Sequence, residues 1–86
     1  MRDLLVTPQF THDLKSIPDY IKLDADAITR QLLINPVDPQ LQITKLKLND
    51  AVWRIRLGSF RLVYTFNRTS LILLRIRHRK DVYRGL

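Results

Sequence analysis

The chain has 86 residues, with 15 Lys and Arg against 8 Asp and Glu, a net charge of +7 and a pI near 10.4. That length provides for one domain, residues 1–86, and 45% apolar residues suffice for a single core. Without cysteine, a disulfide framework, a thiolate metal site and a cysteine nucleophile are excluded; two distant histidines make a poor ligand set, so no metal and no cofactor is expected. Asp3, Pro8, His12, Asp13 and Lys15 leave the first twenty residues without the apolar run of a signal peptide, which makes a cytoplasmic protein with no membrane contact the expectation.

Charge divides the chain. Residues 1–43 hold four Lys/Arg and six Asp, whereas residues 44–86 hold eleven Lys/Arg and two Asp. The second half is therefore expected to meet a polyanion. Ten of the fifteen cations are Arg, whose planar fork grips phosphate through two parallel hydrogen bonds, so nucleic acid leads and an acidic protein partner follows.

In chain order, residues 3–7 read as a short strand. Thr7 is placed to cap a helix with Pro8 at its first position, and Phe10, Leu14 and Ile17 form an apolar stripe that Pro18 breaks. Asp19 favours the first turn of a second helix, whose stripe Ile21, Ala25, Ile28 and Leu32 runs to the stop at Asn35-Pro36. The two helices form a hairpin, followed by a turn over Pro36 to Pro39.

The period then changes. Ile43 to Leu48, with Lys45 and Lys47 alternating against Leu46 and Leu48, reads as a strand or its lead-in. From Val52 the alternation strengthens: Trp53, Ile55 and Leu57 point one way, Val52, Arg54 and Arg56 the other. Gly58-Ser59 is the loop of a two-residue hairpin, with Gly58 supplying the positive φ of a type II′ turn. Leu57 then opposes Phe60, Arg56 opposes Arg61, Ile55 opposes Leu62, Arg54 opposes Val63 and Trp53 opposes Tyr64. A three-residue loop at Asn67-Arg68-Thr69 would set Ser70 against Phe66, Ile72 against Tyr64, Leu74 against Leu62 and Arg75 against Arg61. The expected fold is α+β: a helical hairpin on the apolar face of an antiparallel meander (Trp53, Ile55, Leu57, Phe60, Leu62, Tyr64, Ile72, Leu74, Ile76), with a short N-terminal strand. The other face carries Arg54, Arg56, Arg61, Arg75 and Arg77.

Like charges directly opposite one another destabilise a sheet, so a row of Arg56, Arg61 and Arg75 is better explained by a bound phosphate than by stability. Lys45 and Lys47 extend the cationic set. At the chain's end lies a second cluster, His78, Arg79, Lys80, Asp81, Val82, Tyr83 and Arg84. His78 is the side chain of the basic half with an unperturbed pKa near neutrality, which suits general acid or base work, and Tyr83 can stack on a base or position a leaving oxygen. His12, on the first helix and apart from this cluster, reads as an ordinary surface residue.

The segments WRIRL, GSFRLVY and HRKDVYR, in that order and spacing, resemble the RelE/ParE superfamily of small bacterial and archaeal toxins, on the RelE side. The resemblance covers nearly the whole chain. It implies the toxin of a toxin–antitoxin pair, an endoribonuclease that cleaves mRNA in the ribosomal A site without a metal, contacts 16S rRNA, and is held by a cognate antitoxin with an acidic toxin-binding segment. By position, Arg54 and Arg56 match the family's basic strand residues, Arg61 the arginine of its RLVY segment, Arg79 the arginine near the end of its last strand, and Tyr83 its C-terminal tyrosine. The resemblance thus implies catalysis by Arg56, Arg61, His78, Arg79 and Tyr83, with RNA bound by Arg54, Arg56, Arg75, Arg77, Lys45 and Lys47. RelE has lysines where Arg54 and Arg56 stand, and arginine is a poor proton shuttle, so base chemistry falls to His78. Two alternatives stand beside the nuclease: a ParE-like poison of DNA gyrase, and an inactive module that only binds antitoxin.

Overall fold

A computed structural model describes residues 1–46 and 51–82. Its elements are β1 (Asp3–Val6), α1 (Pro8–Leu14), α2 (Asp19–Ile34), β2 (Ile43–Lys45), β3 (Trp53–Leu57), β4 (Phe60–Phe66) and β5 (Ser70–His78). Thr7 caps α1 as expected, its Oγ1 accepting from Phe10 N at 3.0 Å, and Pro8 opens the helix. α1 ends at Leu14, one turn before Pro18, yet Ile17 stays buried in the connecting turn. α2 begins after Pro18 and stops at Asn35, and it turns Ile21, Ala25, Thr29 and Leu32 into the core.

The sheet has five strands in the order β1-β5-β4-β3-β2. β1 runs parallel to β5, with Leu4 beside Leu71 and Val6 beside Leu73; every other pairing is antiparallel. All five pairs expected across the β3–β4 hairpin are present, and Gly58 has φ +61° as its turn requires. The strand expected over residues 43–48 is described as β2 up to Lys45; Lys47 and Leu48 lie outside the described residues.

The β4–β5 register differs from expectation twice. Asn67 N donates to Ser70 O at 3.0 Å, and Asn67 Oδ1 accepts from Thr69 N and Ser70 N, so the loop is Arg68-Thr69 and Phe66 faces Leu71 rather than Ser70. An irregularity between Val63 and Tyr64 then shifts the ladder by one residue: Tyr64 faces Leu73, while Val63 faces Arg75. The extra residue of this β-bulge is Leu74. Leu71 and Leu73, not Ile72 and Leu74, therefore enter the helix-side core, and beyond the bulge Ile76 is in phase again. Arg61 consequently pairs with Arg77 and not with Arg75.

The bulge is held from the N-terminal segment. Thr7 N donates to Leu73 O at 3.1 Å and Thr7 Oγ1 to Leu74 O at 2.8 Å, which satisfies two carbonyls of β5 at the point where β1 ends. One side of the sheet packs beneath the helices through Phe10, Ile21, Leu32, Ile55, Leu62, Tyr64 and Ile76. The phenol of Tyr64 is buried and donates to Pro36 O at 2.7 Å, tying the end of α2 to the sheet; burial pushes its pKa well above the ordinary tyrosine value. The opposite side is not purely cationic: Val52, Val63 and Val82 form a second small core with Leu46 and Leu74. Val82 reaches it through the turn after β5, in which Asp81 N and Val82 N donate to His78 O.

Candidate nucleic-acid interface

Strand alternation delivers three arginines to one place. Thr44 faces Arg54 across β2–β3 and Arg56 faces Arg61 across β3–β4, so their side chains share the side of the sheet away from the helices. Arg54, Arg56 and Arg61 line a pocket of about 130 Å³ together with Gln42 and Thr44. Arg56 is exposed, whereas Arg61 is only 7% exposed and its Nη1 donates to Gly58 O and Phe60 O, both at 2.8 Å. Those two carbonyls belong to the Gly58-Ser59 hairpin, so the turn that sets the register also fixes the guanidinium. The row of facing cations is Arg56, Arg61 and Arg77. A fixed guanidinium beside two more, with a hydroxyl and an amide on the rim, suits a phosphodiester and the extra charge of a pentavalent phosphorus.

Arg75, placed in this row by the sequence, is engaged elsewhere. Its Nε and Nη2 donate to the two carboxylate oxygens of Asp13 at 2.8 and 3.0 Å. Asp13 is 5% exposed on α1, and its Oδ2 also accepts from Ile76 N at 3.1 Å. The hydrogen bond to Asp13 raises the pKa of Arg75 against an opposing effect of burial. Arg77 Nε lies 3.9 Å from Asp13 Oδ1, so it bridges the arginine row and the edge of the sheet. Lys45 is likewise apart from the pocket: it pairs with Trp53 and its Nζ sits 5.6 Å from the centre of that ring, on the helix side.

His78 faces Phe60 and not an arginine, and its ring meets that of Phe60 edge-on at 5.7 Å. Its Nδ1 accepts from Lys80 N at 3.2 Å, which leaves the proton of the neutral ring on Nε2. It lines a separate cleft of about 400 Å³ between α1 and the end of β5, with His12, Ser16, Phe60 and Arg77 among its walls. His12, which the sequence sets apart from the basic cluster, thus shares a cleft with His78, and Arg77 joins that cleft to the arginine row. Arg79 N donates to Ser59 O at 2.8 Å, extending the ladder one residue beyond β5 and bringing Arg79 to the hairpin that holds Arg61. Tyr83 and Lys47 lie outside the described residues. Gln42 and Thr44 had no signal of their own; only the β2–β3 register makes them neighbours of Arg54 and Arg56.

A five-stranded sheet with two helices on one side and a pocket of arginines on the other defines a small basic α+β protein, the architecture of toxins of type II toxin–antitoxin systems. The family model described as ParE toxin of type II toxin-antitoxin system, parDE, matches residues 4–83. The chain is 32% identical over 84 residues to Toxin RelE3 of Methanocaldococcus jannaschii, covering 93% of each protein. Its fold is similar to a chain of the RelB-RelE antitoxin-toxin complex from Methanococcus jannaschii, with a TM-score of 0.78 and 28% identity over 90% of this chain and 92% of that one. A chain of the archaeal RelE-RelB complex from Pyrococcus horikoshii OT3 shares the fold at a TM-score of 0.76 and 21% identity, over 94% and 98% of the two chains. The chain belongs to the RelE/ParE superfamily and is a RelE-like toxin of a type II toxin–antitoxin system.

Proposed function

We propose that this toxin is an endoribonuclease that cuts mRNA in the A site of the ribosome and so stops translation. The observation that carries the reading is the pocket of Arg54, Arg56 and Arg61, with Arg61 fixed by two backbone carbonyls. The substrate's own 2′-OH attacks the adjacent phosphate, a 2′,3′-cyclic phosphate forms, and the 5′ oxygen of the next nucleotide leaves. The protein then has to align the atoms, stabilise negative charge and move protons. Arg61 and Arg79 take the charge, Arg54 and Arg56 hold the strand, and Arg77 carries the contact around the sheet edge to the cleft of His78, which with Tyr83 is left for proton transfer. Arg75 and Lys45 are left out of this site because Asp13 and Trp53 occupy them.

The partner in this account is an antitoxin of the RelB kind, an acidic segment of which docks on or beside the arginine side. The solved relatives are themselves toxin–antitoxin complexes, which supports that reading. A cytoplasmic site of action follows from the ribosome as target; among the described residues no helix is long and apolar enough to cross a membrane. The match to a family model described as ParE supports a second reading, a gyrase poison without nuclease activity. Adding the purified chain in parallel to a cell-free translation reaction and to a gyrase supercoiling reaction separates the two. Arrest of translation with supercoiling intact is the expected result; the reverse would overturn the nuclease.

A further inference from the structure

The outer face of α2 carries an apolar row that the core does not use. Tyr20, Ala27 and Ile34 recur every seventh residue, and Leu23 lies beside them; Tyr20, Leu23 and Ile34 are 65, 71 and 75% exposed. At about 100° per residue these positions fall on one stripe, diametrically opposite the buried Ile21, Ala25 and Leu32. Val37, also exposed, follows Ile34 past the helix end. Such a row with seven-residue spacing is the pattern by which one helix seats against another.

The row is arranged as a palindrome. Bulky groups stand at both ends, Tyr20 and Leu23 at one and Ile34 and Val37 at the other, with the small Ala27 midway. Two α2 helices laid antiparallel about a two-fold axis at Ala27 would set Tyr20 and Leu23 of each copy against Ile34 of the other, with the two Ala27 residues allowing close approach. The charges beside the row agree with that symmetry. Asp26 and Arg30 form an i,i+4 pair at 2.9 Å on one flank. In the antiparallel arrangement Asp26 of each copy lies within about one helical turn of Arg30 of the other, so two ion pairs join into one four-membered network. The high net charge of the chain does not oppose this contact, because the arginine pocket lies on the opposite side of the sheet. That same separation disfavours an acidic partner on this row, since the field that would attract it is centred elsewhere.

We propose that the outer face of α2 is a self-association surface, through which two copies of this chain pair antiparallel about Ala27 and leave both arginine pockets open. One helix pair is small for a specific interface, so the dimer should form with a dissociation constant on the order of micromolar. The natural absence of cysteine makes the test clean. The full-length Ala27→Cys chain should crosslink to a dimer on mild oxidation, because that position lies on the axis, whereas Gln31→Cys, also exposed but about one turn off the axis, should crosslink about tenfold more slowly. Sedimentation velocity of the cysteine-free chain should show a monomer–dimer equilibrium through the micromolar range that Leu23→Lys abolishes. Equal crosslinking at both positions, crosslinking at neither, or a cysteine-free chain that stays monomeric throughout that range would each overturn the proposal. All three substitutions are on the exposed face of a helix, and unchanged circular dichroism verifies that each variant is folded.

Discussion

Replacing Asp13 by alanine removes the one carboxylate that α1 buries against β5. Three hydrogen bonds go with it: two from Arg75 at 2.8 and 3.0 Å, and one from Ile76 N at 3.1 Å. The Arg75 side chain is 16% exposed and Asp13 5%, so this is a desolvated pair and not a surface one. Removing one member of such a pair leaves the other charge without its partner and costs about 3–5 kcal/mol. An 86-residue domain has a total stability of roughly 4–13 kcal/mol, so Asp13→Ala forfeits about a quarter of it or more. Asp13→Asn keeps an oxygen for Ile76 N but loses the charge and the acceptor for Arg75 Nη2, at about 1.5–3 kcal/mol. Urea unfolding followed by circular dichroism gives both numbers from the midpoint and slope. The double variant Asp13→Asn/Arg75→Gln completes a cycle and should be more stable than Asp13→Asn alone, because no charge is then stranded. A loss below about 1 kcal/mol for Asp13→Ala would put the pair in the range of exposed salt bridges and refute the reasoning.

Further consequences concern the hairpin, the buried phenol and the partner. Gly58→Ala forces a Cβ into φ +61°; the nearest atom it meets is Ile21 Cδ1 at 3.9 Å, so the cost is backbone strain alone, about 1–2 kcal/mol by thermal unfolding, and a clash-sized loss would contradict it. Because the folded state raises the pKa of Tyr64, the unfolded chain gives up this proton first, and stability should fall as pH rises above about 10. Tyr64→Phe should flatten that part of the pH–stability curve; an unchanged slope would mean that the phenol is not protected. Antitoxin affinity, measured by calorimetry at two salt concentrations, should weaken with salt in the natural chain and much less once Arg54, Arg56 and Arg61 are neutralised together. Equal affinity in both chains would assign binding to apolar contacts instead.

How much of this was legible depended on how local the cause was. Thr7-Pro8, Pro18 and Asn35-Pro36 mark helix ends within a few residues, and the helices lie where those signals put them except that α1 ends at Leu14, a turn before Pro18. Gly58-Ser59 sets the β3–β4 register within two residues, so the neighbours Arg56 and Arg61 could be read directly. The β4–β5 register could not, because Asn67 closes a shorter loop with its own side chain and the bulge at Leu74 is held by Thr7 from across the molecule. Those two one-residue shifts together moved Arg77 into the place expected for Arg75. The withdrawal of Arg75 has the same origin: the carboxylate that takes it is 62 positions away in sequence and approaches only because β1 ends at Val6 and leaves the rest of β5 open to α1. His78 illustrates the limit of reading by neighbourhood. It adjoins Arg77 and Arg79 in sequence, yet it faces Phe60 across the ladder, and it lines a cleft that Arg77 and His12 on α1 share and that Arg54, Arg56 and Arg61 do not line.

Mapping RNA ends separates a ribosome-dependent nuclease from a toxin that cuts no RNA. The purified, antitoxin-free chain is incubated with a defined mRNA, alone and on programmed ribosomes with an empty A site, and the products are read by primer extension. The expected result is cleavage within the A-site codon on ribosomes, lowered about 10²–10³-fold in Arg61→Ala, the loss expected when a donor to transition-state charge is removed. No cut by folded protein in either reaction, or a cut that Arg61→Ala leaves undiminished, would contradict it.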